Sequence, residues 1–118
     1  MRTSLVTGAN RGIGLEYCRQ LKARGDQVVA VCREPGPELE ALGVRIEAGV
    51  ELTDPDAVAA LMLRLKGVTL DLAILNAGVL QSMGLSDLDA EAIRLQFEVN
   101  ALAPLQLSRA LMPLMPHG

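Results

Sequence analysis

Eight consecutive residues, Thr7-Gly8-Ala9-Asn10-Arg11-Gly12-Ile13-Gly14, carry the strongest chemical signal in this chain. They follow a short apolar run at residues 3–7 and lead into a pattern of apolar residues at helical spacing. A glycine leaving a strand permits a tight turn. A second, at a helix N-terminus, lets backbone N–H groups approach an anion, and a third lets the helix pack closely on the sheet. Gly8, Gly12 and Gly14 occupy those three places, and a diphosphate suits such a junction. The alternative is a tight turn with no ligand, and three glycines in seven residues at a strand–helix junction weigh against it.

The elements needed to position this loop are legible along the chain. In residues 13–23, Ile13, Tyr17, Cys18 and Leu21 recur at helical spacing, which places Tyr17 on the apolar side as a packing residue. Lys22 and Arg24 fall in the last turn, and Gly25 follows as a left-handed stop. Residues 27–32 form a β-branched run without polar alternation, the mark of a strand covered on both faces. A short helix at 38–42 closes on Gly43, and a weaker strand follows at 44–48. Asp54-Pro55-Asp56 opens a third helix running to about Lys66, with Asp54 as N-cap and Pro55 at its first position. A fourth strand spans 70–76, and Ser86 or Asp89 caps a last long helix reaching Met112. Strands alternating with helices predict an α/β, Rossmann-type doubly wound parallel sheet in three αβα layers, ordered 3-2-1-4.

The spacing Gly-xxx-Gly-x-Gly differs from the commoner Gly-x-Gly-xx-Gly fingerprint. It resembles the TGxxxGxG cofactor motif of the short-chain dehydrogenase/reductase family. Further landmarks follow in the family's order. Glu51-Leu52-Thr53-Asp54 looks like its adenine-holding segment, Asn76-Ala77-Gly78 is similar to its NNAG, and Val99-Asn100 matches its catalytic asparagine. The runs Gly14-Leu15-Glu16 and Val31-Cys32-Arg33-Glu34-Pro35 look most like sniffer-type carbonyl reductases and C-factor-like bacterial members. The resemblance implies a site for a nicotinamide dinucleotide formed by Gly8, Asn10, Arg11, Gly12, Ile13, Gly14, Arg33, Glu51, Leu52, Asn76, Ala77 and Gly78. Two positions depart from the pattern: Glu51 replaces the usual aspartate, and Leu75 replaces the first Asn of NNAG.

The same resemblance implies that residues 1–118 are the first half of the family's domain. Its catalytic Ser and Tyr-xxx-Lys are not in this sequence; the single tyrosine, Tyr17, has Leu21 four residues on. Asn100 is the one catalytic-position residue present. Pro104 stands four residues later without an N–H, so it leaves the Asn100 carbonyl without that helical partner. Cofactor choice is read from the end of the second strand. Cys32 is followed there by Arg33, whose guanidinium suits a 2′-phosphate, so NADP(H) is expected; Glu34 could serve a ribose diol and keeps NAD(H) open.

Composition bounds the alternatives. The 118-residue chain is 50% hydrophobic, has a net charge of −3, and contains one Phe, one Tyr and no Trp. Disorder is excluded, and nucleic-acid binding has neither a basic face nor stacking aromatics. No apolar stretch approaches the ~18 residues of a membrane span. Cys18 and Cys32 lack metal-ligand spacing and read as buried free thiols, which points to the cytoplasm. His117 reads as solvated, and Met112 and Met115 as packing residues. The family resemblance, within these bounds, implies the cofactor-binding half of an oxidoreductase moving hydride between nicotinamide and a small carbonyl or secondary alcohol. A homo-oligomer, dimer or tetramer, is expected through the 89–112 helix. A non-catalytic dinucleotide-binding or signalling module, or a fragment without independent activity, is the rival. Ser and Tyr-xxx-Lys beyond Gly118 would favour the enzyme.

Overall fold

The computed structural model describes residues 1–116. Four parallel strands, β1 (Thr3–Thr7), β2 (Gln27–Val31), β3 (Arg45–Glu47) and β4 (Leu72–Ile74), form one sheet in the order β3-β2-β1-β4. The chain therefore steps outward from β1 to β3 and then returns to the other side of β1. That reversal opens a crevice beyond the C-terminal ends of β1 and β4, where α/β sheets hold ligands.

Among the described residues there are five α-helical segments, α1 (Gly12–Arg24), α2 (Pro37–Ala41), α3 (Pro55–Arg64), α4 (Ala90–Phe97) and α5 (Ala103–Leu111), of which α1, α2, α3 and α5 bury side chains against the sheet. Alternation along the strands sends Leu5, Val29 and Val31 to one face, against Leu61, Leu65, Leu107 and Leu111. Val6, Val28 and Ala30 meet Leu15, Cys18, Leu21 and Leu39 on the other. Both faces are covered, which explains the unbroken apolar run of β2. Three αβα layers result, as the residue pattern predicts.

Local signals set the helix ends. The Asp54 carboxylate accepts from Asp56 N–H at 3.0 Å, with Pro55 in the first turn of α3. Gly25, at φ 100°, stops α1. Asp89, not Ser86, caps α4, accepting from Glu91 and Ala92; Ser86 lies in a separate 3₁₀ turn, Leu85–Asp87.

Three expectations are corrected. Ile13 and Tyr17 point outward, 70% and 41% exposed, while Gly14, Leu15, Cys18 and Leu21 form the buried stripe of α1. Positions 13 and 17 share one helical stripe, about half a turn from Leu15. The last helix is not continuous: a π-helical turn, Glu98–Leu102, separates α4 from α5, and Ala103 N–H bonds Glu98 O. Pro104 accounts for it, because a proline in a regular helix would clash with the Asn100 carbonyl, and a wider turn relieves that clash. Met112 is exposed rather than packed, whereas Met115 does pack on the core. His117 lies outside the described residues.

One polar anchor predicts an acid response. The Asp26 side chain, 4% exposed, bonds Arg24 Nη2 and Ser4 Oγ, each at 2.6 Å. The Arg24 bond, then the Ser4 bond, holds its carboxyl down to about 2. A folded pKa below the unfolded ~3.9 stabilises the fold above about pH 4, and this contribution disappears as pH falls through about 2. Urea midpoints of the native chain and Asp26→Asn are expected to differ at pH 7 and converge near pH 2. A constant difference across that range would overturn the assignment.

Candidate functional site

The predicted residues lie just beyond the C-terminal ends of the strands, in two linked corners. In the first, the glycine turn leaves β1 and meets the segment that leaves β4. Ala77 N–H donates to Thr7 Oγ1 at 3.1 Å, and Asn76 Nδ2 donates to Gly8 O at 3.3 Å. The three glycines have separate physical reasons. Gly8, at φ 61°, is so close to the neighbouring chain that a Cβ would lie 2.9 Å from Ala77 Cα. A Cβ on Gly14 would lie 2.0 Å from Gly8 O, so α1 crosses the turn at a distance only glycine permits. Gly12, at φ 59°, has nothing within 4 Å of its missing Cβ.

Gly12 therefore borders open space at the start of α1. Arg11 occupies the N-cap in extended conformation without a side-chain cap bond, and the first turn holds no acidic residue. The first helical bond is Leu15 N–H to Arg11 O, so the N–H groups of Gly12, Ile13 and Gly14 precede the helical ladder. Outward donors, the helix dipole and an open approach fit a diphosphate. Asn10 serves the loop instead: its Oδ1 accepts from Gly36 N–H, and Ala9 N–H reaches Val31 O at 3.3 Å. Those bonds tie the glycine turn to the 32–36 loop.

The second corner is that loop with the segment after β3. Gly49 N–H bonds Arg33 O at 2.8 Å and Val50 N–H bonds Cys32 O at 3.1 Å. This register brings Arg33 Nη1 within 3.6 Å of Glu51 Oε2. Glu34 is exposed, and Leu52 is half-buried against the core. Cys18 and Cys32 are buried, and burial pushes the Cys18 thiol up to about 11, with Cys32 adding a smaller repulsion. Neither thiol has the depressed pKa of a reactive nucleophile.

Asn100 faces the loop after β4. Its Oδ1 accepts from Val79 N–H at 2.8 Å and its Nδ2 donates to Val79 O at 2.6 Å, an amide clamp on one residue's backbone. A Cβ on Gly78 would approach Asn100 Oδ1 to 3.1 Å. One helical turn earlier, Gln96 Oε1 accepts from Gln81 N–H at 3.0 Å. Gln96 was not legible as a site residue; its spacing of four from Asn100 was the available signal. Thr7 was likewise known only as part of the motif.

Residues 2–118 match the short chain dehydrogenase family. The chain belongs to that family. Along its full length it is 42% identical to the 1-hydroxy-2-glutathionyl-2-methyl-3-butene dehydrogenase of Rhodococcus sp. (strain AD45), of which it covers 53%. A crystal structure of a carbonyl reductase from Pseudomonas aeruginosa PAO1 superposes with a TM-score of 0.89 at 34% identity, covering 98% of this chain and 57% of that one. The NADPH-bound carbonyl reductase from chicken fatty liver gives 0.81 at 35% identity, over 97% of this chain and 48% of that one. The chain spans about half the length of the curated relatives it matches. In this short-chain dehydrogenase the glycine turn meets the Asn76-Ala77-Gly78 segment, and Asn100 holds the backbone that follows it at Val79. Among the described residues no helix is long and apolar enough to cross a membrane, and none forms a metal-binding cluster.

Proposed function

We propose that residues 1–118 are the dinucleotide-holding half of an NADP(H)-preferring oxidoreductase acting on a small carbonyl or secondary alcohol. The observation that carries this reading is the glycine junction. Gly8 and Gly14 are closed by backbone contacts, while Gly12 alone opens to the uncapped start of α1. Such a pocket of N–H donors would take the diphosphate at Gly12, Ile13 and Gly14. Asn10 would keep the turn in register with the 32–36 loop, and Asn76 and Ala77 would brace it from β4. Arg33 would take a 2′-phosphate, with Arg11 as a second cation beside Gly12, and Leu52 and Glu51 would border the adenine. The bound dinucleotide supplies the hydride. Asn100 and Gly78 would shape the floor below the nicotinamide by fixing the loop at Val79. The NADPH-bound relative supports this cofactor choice.

Phe97, Leu102, Leu105 and Met112 are exposed along the same helical run that buries Leu107 and Leu111. They support association of cytoplasmic copies through 89–112 as a homo-oligomer. The test of the function is a titration with NADPH and NADH. NADPH is expected to bind at least tenfold tighter, and Arg33→Ala to abolish that margin, by loss of one charge-assisted contact worth about 1.5–3 kcal/mol. Equal affinities in the native chain would overturn the preference.

A further inference from the structure

We infer that Glu51 is a built-in competitor for Arg33, so that this chain sets its own discrimination between 2′-phosphorylated and plain adenine dinucleotides. The inference rests on the proposed cofactor site and adds to it a specificity-determining carboxylate.

Both oxygens of Glu51 are engaged. Oε2 lies 3.6 Å from Arg33 Nη1, and Oε1 accepts from Thr53 Oγ1 at 3.1 Å. The pairing is not an accident of two long side chains in solvent. The backbone bonds from Gly49 to Arg33 and from Val50 to Cys32 fix the two segments side by side. Thr53 then turns the carboxylate toward the guanidinium. Side-chain length matters too: an aspartate at 51 would be one methylene shorter, which draws the carboxylate back from the guanidinium.

Arg33 is 76% exposed and Glu51 48% exposed, so their mutual attraction is weak and readily exchanged. A 2′-phosphate carries about −1.5 to −2 charges at neutral pH and three acceptor oxygens, by analogy with a phosphomonoester side chain. It would outcompete one carboxylate for the guanidinium, but Glu51 would remain beside it as a like charge. A dinucleotide with a free 2′-hydroxyl meets no such repulsion. Glu51 therefore lowers the affinity for the phosphorylated cofactor selectively, keeping its release easy.

The full chain and its Glu51→Gln, Glu51→Asp and Thr53→Val variants would be titrated calorimetrically with NADP⁺ and NAD⁺. Glu51→Gln is expected to raise the ratio of NADP⁺ to NAD⁺ affinity by about fivefold, the size of an exposed charge interaction, because any effect at the shared adenine cancels in the ratio. Glu51→Asp and Thr53→Val should give smaller gains of the same selectivity. The gain should shrink in 0.5 M salt, where exposed charges are screened. An unchanged or lower ratio of NADP⁺ to NAD⁺ affinity in Glu51→Gln, in a chain whose preference still depends on Arg33, would overturn the competitor role alone. Equal tightening of both cofactors would do the same. Failure of the native chain to bind either dinucleotide would overturn the cofactor site, and the inference with it.

Discussion

Gly14→Ala is expected to destabilise the chain by about 3 kcal/mol or more, the upper range for overpacking. Propensity alone predicts the opposite sign, since alanine in a helix interior is favoured over glycine by about 1 kcal/mol. Contact geometry decides between the two. The new methyl would lie 2.0 Å from Gly8 O and 2.8 Å from Gly8 C, and neither backbone atom can step aside without opening the turn. Asn76 Nδ2, at 2.6 Å, closes the third side. Gly12→Ala makes the informative contrast. Its methyl meets no atom within 4 Å, so only the left-handed backbone at φ 59° is strained, at about 1–2 kcal/mol. That methyl would instead occupy the approach to the N–H donors. Urea unfolding and NADPH titration of both variants should therefore separate, with Gly14→Ala losing stability and Gly12→Ala losing chiefly binding. A Gly14→Ala chain as stable as the native one would show that α1 does not cross the turn this closely.

That contrast also marks where sequence reasoning reached. Strand order, the three layers, the helix start at Asp54 and the helix stop at Gly25 were legible because each follows from local chemistry or a topological rule, whereas the start of α4 was narrowed only to Ser86 or Asp89. The face of α1 was not. Residues 13, 17, 18 and 21 contain two apolar stripes, and the true one runs through Gly14, whose lack of a side chain hides it from any hydrophobic pattern. The Asn100 clamp escaped notice because its partner, Val79, is 21 residues away and contributes only backbone. Pro104 did announce that the Asn100 carbonyl loses its helical partner, though not that a π turn would interrupt the helix there. Glu51 was legible as a departure from the family's aspartate, but its consequence was not. The bond from Val50 N–H to Cys32 O sets the register that places it beside Arg33. Single residues and turns speak through sequence, whereas pairings across the sheet's end depend on register.

The largest functional effect expected is a deficit: the 118-residue chain should bind dinucleotide yet reduce no carbonyl above background. Carbonyl reduction requires a proton delivered to the developing alkoxide, and a positioned general acid typically contributes about 10²–10⁴-fold. The chain's single tyrosine, Tyr17, is 41% exposed on α1 and is followed four residues later by Leu21, an aliphatic side chain that carries no charge and no proton to relay. Asn100 is no substitute, because both side-chain amide atoms are committed to Val79. The cysteines are equally unsuited, since burial holds the Cys18 thiol up near 11 and raises that of Cys32. NADPH oxidation would be followed by the absorbance of the reduced nicotinamide, with small aldehydes and ketones as substrates. The rate should equal that of buffer, and Tyr17→Phe should leave it unchanged. Turnover by the purified chain that Tyr17→Phe abolishes would identify Tyr17 as the acid. Turnover that persists in Tyr17→Phe would require a proton donor among the remaining side chains, and either result would show that residues 1–118 carry a general acid of their own.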